Sequence, residues 1–176
     1  MKNLLFICAV SIVSACSNNK NSDVEYTLVE RPPEIAEAAL QYALQYAAAN
    51  TSYHYGGQDL LKSIRVDCSG LIVNCYLYAV AGTPYALPFQ DAAVADFFTR
   101  WTVKTSEPER GDLIFMGDNP LQPTHAALFV KNDSGYTHFI DATLKPEEMI
   151  DGVTCRKYKI DNDVFLSFGK LKLLLN

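Results

Sequence analysis

Several chemistries are excluded by what this sequence lacks. It has no G-x-x-x-x-G-K phosphate loop, no paired C-x-x-C and no H-E-x-x-H, so no cofactor and no metal are expected. The 15 lysines and arginines are outnumbered by 20 aspartates and glutamates and form no block. The resulting charge of −5 argues against a nucleic-acid partner. No apolar run reaches the ~20 residues of a membrane-spanning helix. The five cysteines in 176 residues are not needed as staples, because a chain of this length buries a core by itself. A Cys75–Cys155 disulfide is therefore not expected. What remains, 49% hydrophobic and 20% charged, fits one globular domain, expected to be a monomer.

The first residues stand apart from that domain. Met1-Lys2 is a short positive start, Leu4 to Val13 is apolar, and Val13-Ser14-Ala15-Cys16 follows. These are the parts of a secretory signal. The V-S-A-C run resembles a bacterial lipoprotein box, which implies removal of residues 1–15 and lipidation of Cys16. Residues 16–31 then form the lipidated cysteine and a polar tether, and residues 32–176 the domain. A lipid at Cys16 leaves the domain body outside the bilayer. Ser17 does not resemble a retention signal, so the periplasmic side of an outer membrane is the expected location. Cys68, Cys75 and Cys155 remain in the domain, and an odd number leaves a free thiol.

Along the domain, helical patterns come first and strand patterns second. Glu34 to Ala49 is rich in strong helix formers, follows Pro33, and places Ile35, Ala39, Tyr42 and Tyr46 on one face. Paired glycines at 56 and 57 close an aromatic cluster and allow a tight turn or close backbone approach. Gln58 to Arg65 has the composition of a polar loop, and a second helix is expected at Gln90–Trp101 with Val94, Phe97, Phe98 and Trp101 inward. Strands are expected at 111–116, 125–130, 136–142, 155–160 and 165–175, with a break or bulge at Gly169. Helices followed by an antiparallel sheet make an α+β domain.

The stretch from Val66 to Gly82, VDCSGLIVNCYLYAVAG, carries the chemistry. Asp67 is a good N-cap, which makes Cys68 the first residue of a helix with Leu71, Cys75 and Tyr78 inward. The unpaired N–H groups and dipole of a helix start favour a thiolate over a thiol. His125 and His138 lie later and could supply a base, as in a cysteine hydrolase. A buried structural cysteine is the plainer reading of the stretch alone.

Four segments taken in order decide between these. Tyr53-His54-Tyr55-Gly56-Gly57, Asp67-Cys68-Ser69-Gly70-Leu71, Gly111-Asp112-Leu113-Ile114-Phe115 and His125-Ala126-Ala127-Leu128-Phe129 resemble the motifs of the NlpC/P60 cysteine peptidases. The likeness spans roughly residues 34–174. It implies a papain-like fold, N-terminal helices packed on an antiparallel sheet, and cleavage of peptidoglycan stem peptides between D-glutamate, through its γ-carboxyl, and the diamino acid. It makes Cys68 the nucleophile and His125 its base. Phe139-Ile140-Asp141-Ala142 aligns with the segment carrying the third polar residue, so Asp141 takes that place. His138 is the alternative, and strand parity sets the two on opposite faces. The resemblance also gives Tyr53 an oxyanion role beside the Cys68 N–H, and gives Asp67 and Ser69 a part in holding the free amino end of the peptide. Ala126-Ala127 replaces the usual Val-Gly. Leu87-Pro88-Phe89 lacks the arginine often found there. Two alternatives stay open: the same fold acting as amidase or acyltransferase on another bond, and a non-catalytic lipoprotein that binds wall peptide.

Overall fold

A computed structural model of the chain describes residues 26–59 and 64–175. The expected signal, the Cys16 lipidation site and most of the tether lie outside the described residues.

Two helices and a mixed-length antiparallel sheet form the body, the α+β arrangement expected. Helix α1 (Pro33–Ala48) begins on Pro33, whose fixed backbone angle suits a first helical turn. Its inward face is Ile35, Ala36, Ala39, Leu40 and Ala43, small enough to bring α2 (Cys68–Val80) close. Helix α2 is buried almost all round. Leu71, Ile72, Cys75 and Tyr76 are within 1% of full burial, whereas Leu77 and Tyr78 are 50% and 38% exposed. Tyr76, not Tyr78, is therefore the inward tyrosine, because a helix between two layers needs apolar residues on more than one stripe.

The main sheet begins with a strand the sequence pattern missed. β1 (Thr27–Glu30) pairs with the last strand, β11 (Phe165–Leu175), from Thr27↔Leu175 to Glu30↔Lys172. Next to it, buried Arg31 donates to Asp112 Oδ1 at 2.9 and 2.5 Å and to Glu109 at 2.8 Å. Residues 27–31, expected to be the end of a tether, are thus part of the fold, and the domain starts before residue 32.

Beyond β11 the sheet continues through β7 (Leu113–Met116), β8 (His125–Asp133), β9 (Tyr136–Lys145) and β10 (Ile150–Lys159), all antiparallel. Short strands β5 (Tyr85–Ala86) and β6 (Thr102–Thr105) also pair with β11. β11 runs unbroken through Gly169, which packs under Thr102, and its irregularity falls between Phe165 and Ser167. A separate small sheet joins β2 (Thr51–Tyr53), β3 (Gln58–Asp59) and β4 (Ile64–Val66), with β2 and β4 parallel. The expected helix at 90–101 is shorter: α3 (Val94–Asp96) passes into a π-helical turn at Phe97–Trp101. Phe97 is buried against Phe89, and Phe98 stacks edge-on to Phe115.

Strand alternation sorts the side chains onto two faces. Ala126, Leu128, Ile140 and Ala142 join the helices in the larger core. Ala127, Phe129 and Phe139 join Ile114 and Met116 in a second core on the other face, covered by Tyr158, Phe165 and Phe168.

Candidate active site

Asp67 organises the start of α2. Its Oδ1 accepts from the Gly70 N–H at 2.7 Å, the N-cap bond expected of it, and from Ser69 Oγ at 2.8 Å. Its Oδ2 accepts from the Gly56 N–H at 2.8 Å. One carboxylate therefore ends the helix and ties it to the turn after Tyr53. Gly56 takes a positive φ of 70°, and a side chain at Gly57 would strike the Arg65 carbonyl, so the paired glycines serve turn and close approach respectively. Gly70 packs directly on the Gly57 carbonyl, where no methyl fits. The result is a helix start pressed against the turn between β2 and β3, with Cys68 buried at its tip.

His125 is the first residue of β8, at the rim of the sheet. Its Nε2 lies 2.6 Å from Asp141 Oδ2. The Cys68 side chain is the imidazole's other close polar neighbour. With Nε2 taken by Asp141, Nδ1 is the ring nitrogen left for the thiol. Burial, the largest single influence on the imidazole, would lower its pKa. The hydrogen bonds to Asp141 and Cys68 and their negative charge outweigh burial together and push it up to about 9.

Asp141 is fully buried. Burial pushes its carboxyl up, but the bonds to His125 and Arg156 hold it below its ordinary value. Arg156, on β10, donates Nε to Asp141 Oδ1 at 2.9 Å and a second nitrogen to Oδ2. Its guanidinium lies against the rings of Phe139 and Tyr158, 5.1 and 5.2 Å from their centroids, and donates to Tyr158 Oη at 2.6 Å. Nothing in the sequence pattern pointed to Arg156. The signal that would have found it is the hairpin register: Asp141 pairs with Thr154, and Arg156 is the next residue along β10 on the same face.

The two candidates for the third polar residue lie in different places. Asp141 meets the imidazole, whereas His138 pairs with Lys131 and Lys157 toward the hairpin turn at Ser134-Gly135. Tyr53 lies beside the thiol, and burial first, then the negative ends of Cys68 and Asp67, raise its phenol pKa, so it keeps its proton for donation. His54 is exposed, and Tyr55 stands 86% exposed at the rim. Cys75 is buried in the larger core and Cys155 is exposed, both as free thiols.

Tyr53, Cys68 and His125 line a cleft of about 370 Å³, closed on one side by Asp91 to Ala95 and on another by Pro123 and Thr124. Asp67 and Asp91 are its charged lining residues, and no lysine or arginine lines it among the described residues. Phe89, at the place of the missing arginine, turns its ring onto Phe97 and Trp101. Such a cleft can present a sulfur nucleophile, an imidazole held by a carboxylate, and donors for a developing oxyanion. Among the described residues, no hydrogen bond occupies the Cys68 N–H.

The family model described as NlpC/P60 family matches residues 50–159. Among solved structures, the chain is similar to the crystal structure of the NlpC/p60 domain of peptidoglycan hydrolase SagA, at 23% identity over 77% of this chain and 97% of that one, with a TM-score of 0.46. Comparison with curated proteins gives no match.

Proposed function

Because this chain belongs to the NlpC/P60 family and has its papain-like α+β fold, we propose that it is a cysteine hydrolase of peptidoglycan. Its bond is the stem-peptide amide between D-glutamate, through the γ-carboxyl, and the diamino acid. The observation that carries the reading is the line from Cys68 at a capped helix start, through His125, to buried Asp141. Cys68 as thiolate attacks the amide carbonyl carbon while His125 is protonated. The Cys68 N–H and the Tyr53 hydroxyl stabilise the oxyanion. His125 gives its proton to the leaving amine, and the thioester forms. Neutral His125 then takes a proton from the attacking water, the carboxyl product leaves, and thiolate and imidazolium are restored.

The acidic cleft suits a peptide that ends in a free ammonium. Ser69 spends its hydroxyl hydrogen on Asp67, so its oxygen lone pairs, with the open side of Asp67 Oδ2, are acceptors for that group. The envelope location belongs to the same proposal: a lipid on Cys16 would hold a monomeric domain at the periplasmic face of the outer membrane, near its substrate.

Incubation with the tripeptide L-Ala-γ-D-Glu-diamino acid, its N-acetylated form and intact sacculi, followed by mass spectrometry, tests the reading. The free tripeptide is expected to yield L-Ala-D-Glu, the acetylated one to resist, and Cys68→Ala to be inactive. Release of a different fragment from sacculi would reassign the bond to an amidase. No release from any substrate, with the Cys68 thiol intact, would sink the enzyme reading in favour of wall-peptide binding.

A further inference from the structure

We propose that Arg156 is a positioning residue of this site: it is the permanent cation that keeps Asp141 ionised and in place while His125 changes protonation. The inference rests on the reading of Cys68 and His125 as a catalytic pair.

During the reaction His125 is protonated before it gives its proton to the leaving amine and neutral afterwards. In the neutral interval Asp141 loses its cationic neighbour on β8. A fully buried carboxylate without a cation is unfavourable, and the usual response is to take a proton. A protonated Asp141 would hand a hydrogen to Nε2 and draw none from it, which fixes the wrong tautomer, with Nδ1–H pointing at the thiol. Arg156 prevents this because its charge does not titrate in the working range.

The geometry around the guanidinium is built for that task. Its side chain is 7% exposed, and Asp141 is 0% exposed. It contacts both carboxylate oxygens, so it fixes the plane of the carboxylate as well as its charge. Phe139 and Tyr158 hold the guanidinium plane, and Tyr158 Oη is fixed in turn by Lys145 Nζ at 3.0 Å. The titratable groups facing Asp141 are His125 from β8 and Arg156 and Cys155 from β10, with Cys68 of α2 behind the imidazole. Those around Arg156 are Tyr158 and Glu148, and Lys145 lies beyond them. No other cation of the described residues pairs with Asp141.

Two opposite effects follow from removing Arg156. With Asp141 still ionised, loss of a nearby cation would raise the His125 pKa. With Asp141 protonated, His125 loses its main support and its pKa falls. The complete burial of Asp141 selects the second.

The chain has three histidines, so the imidazole carbon-bound protons of His125 can be followed by NMR through a pH titration without any substrate. Arg156→Met and Arg156→Gln are compared with the parent protein, the glutamine variant standing in where methionine does not fold. The His125 midpoint is expected to fall by about one to two pH units in either neutral variant. Arg156→Lys, which keeps the charge and loses the paired contact, is expected to hold the midpoint. Peptide cleavage should drop by about 10²-fold in the neutral variants, the lower end of what acid–base chemistry supplies. Adding Arg156→Gln to Asp141→Asn should change neither readout further, because Arg156 acts through Asp141. An unmoved or raised His125 midpoint in a folded neutral variant would overturn the inference. The NMR readout needs no cleavage, so an inactive parent protein would count against the proposed reaction alone.

Discussion

Replacing Asp67 tests how the site is held. In Asp67→Ala three hydrogen bonds disappear, and their costs differ because their donors differ in burial. The Gly70 N–H is buried and would be left without an acceptor, the N-cap loss that costs about 1–2 kcal/mol. The Gly56 N–H lies in an exposed turn that water can reach, so its loss costs about 1 kcal/mol. Ser69 Oγ is half-buried at the cleft and can turn to solvent at little cost. The sum is about 2–3 kcal/mol, or roughly 4–12 °C in Tm for a domain of this size. Asp67→Ser restores the cap but cannot also reach Gly56, so about 1–2 kcal/mol should return. Urea denaturation of both variants, with thermal melts, measures this. Cys68 alkylation by iodoacetamide in a Cys155→Ser background reports the position of the thiol, and should slow in Asp67→Ala while Asp67→Ser recovers part of the rate. A loss below about 1 kcal/mol in Asp67→Ala, or a serine variant no better than alanine, would refute the idea that one carboxylate joins the helix start to the Tyr53 turn.

Two further outcomes are expected. The raised His125 pKa contributes stability that is fully present below its unfolded value of ~6.5 and is lost as pH rises through about 9. Chemical denaturation at pH 6 and pH 10 should therefore show the parent losing roughly 3 kcal/mol relative to His125→Gln, and equal slopes for the two proteins would contradict it. Gly70→Ala adds a better helix former to α2, a gain of about 1 kcal/mol by propensity alone. Its methyl would collide with the Gly57 carbonyl, a backbone atom that cannot rotate away. The variant should thus melt lower than the parent, and a higher melting temperature would show that the helix start is free to move.

The elements legible in the sequence are those encoded by local pattern. Helix α1 starts on a proline and repeats small apolar residues, and β8, β9 and β11 alternate around turn residues, so each is found within a few residues of its place. Where the pattern is made by distant partners it misleads. β1 has too few residues to show a period, and it exists because β11 offers a free edge. Helix α2 hides its amphipathic stripe because layers on both sides need apolar groups, which is why the spacing points to Tyr78 whereas Tyr76 is the buried tyrosine. The π-helical turn at Phe97–Trp101 shortens a helix whose composition promised three turns, as aromatic packing on Phe89 and Phe115 outweighs propensity.

The same distinction divides the site. Asp67 and Cys68 are neighbours in sequence, and capping chemistry alone locates them at a helix start. Alternation is a local rule that sets Asp141 and His138 on opposite faces whatever the strand pairs with, and the family resemblance is what favours Asp141 of the two. Arg31 and Arg156 are not legible, since each is a basic residue whose partner lies far off in sequence. Arg31 reaches Asp112 from the residue that follows β1, and Arg156 reaches Asp141 across one hairpin. Their burial gives both the same consequence. A buried charge must be answered by an opposite charge, so once Asp112 and Asp141 are inward a cation has to stand beside each, and for Asp141 the β9–β10 register dictates where. An acidic residue at an inward position is therefore the sequence sign to follow, and the arginines complete it.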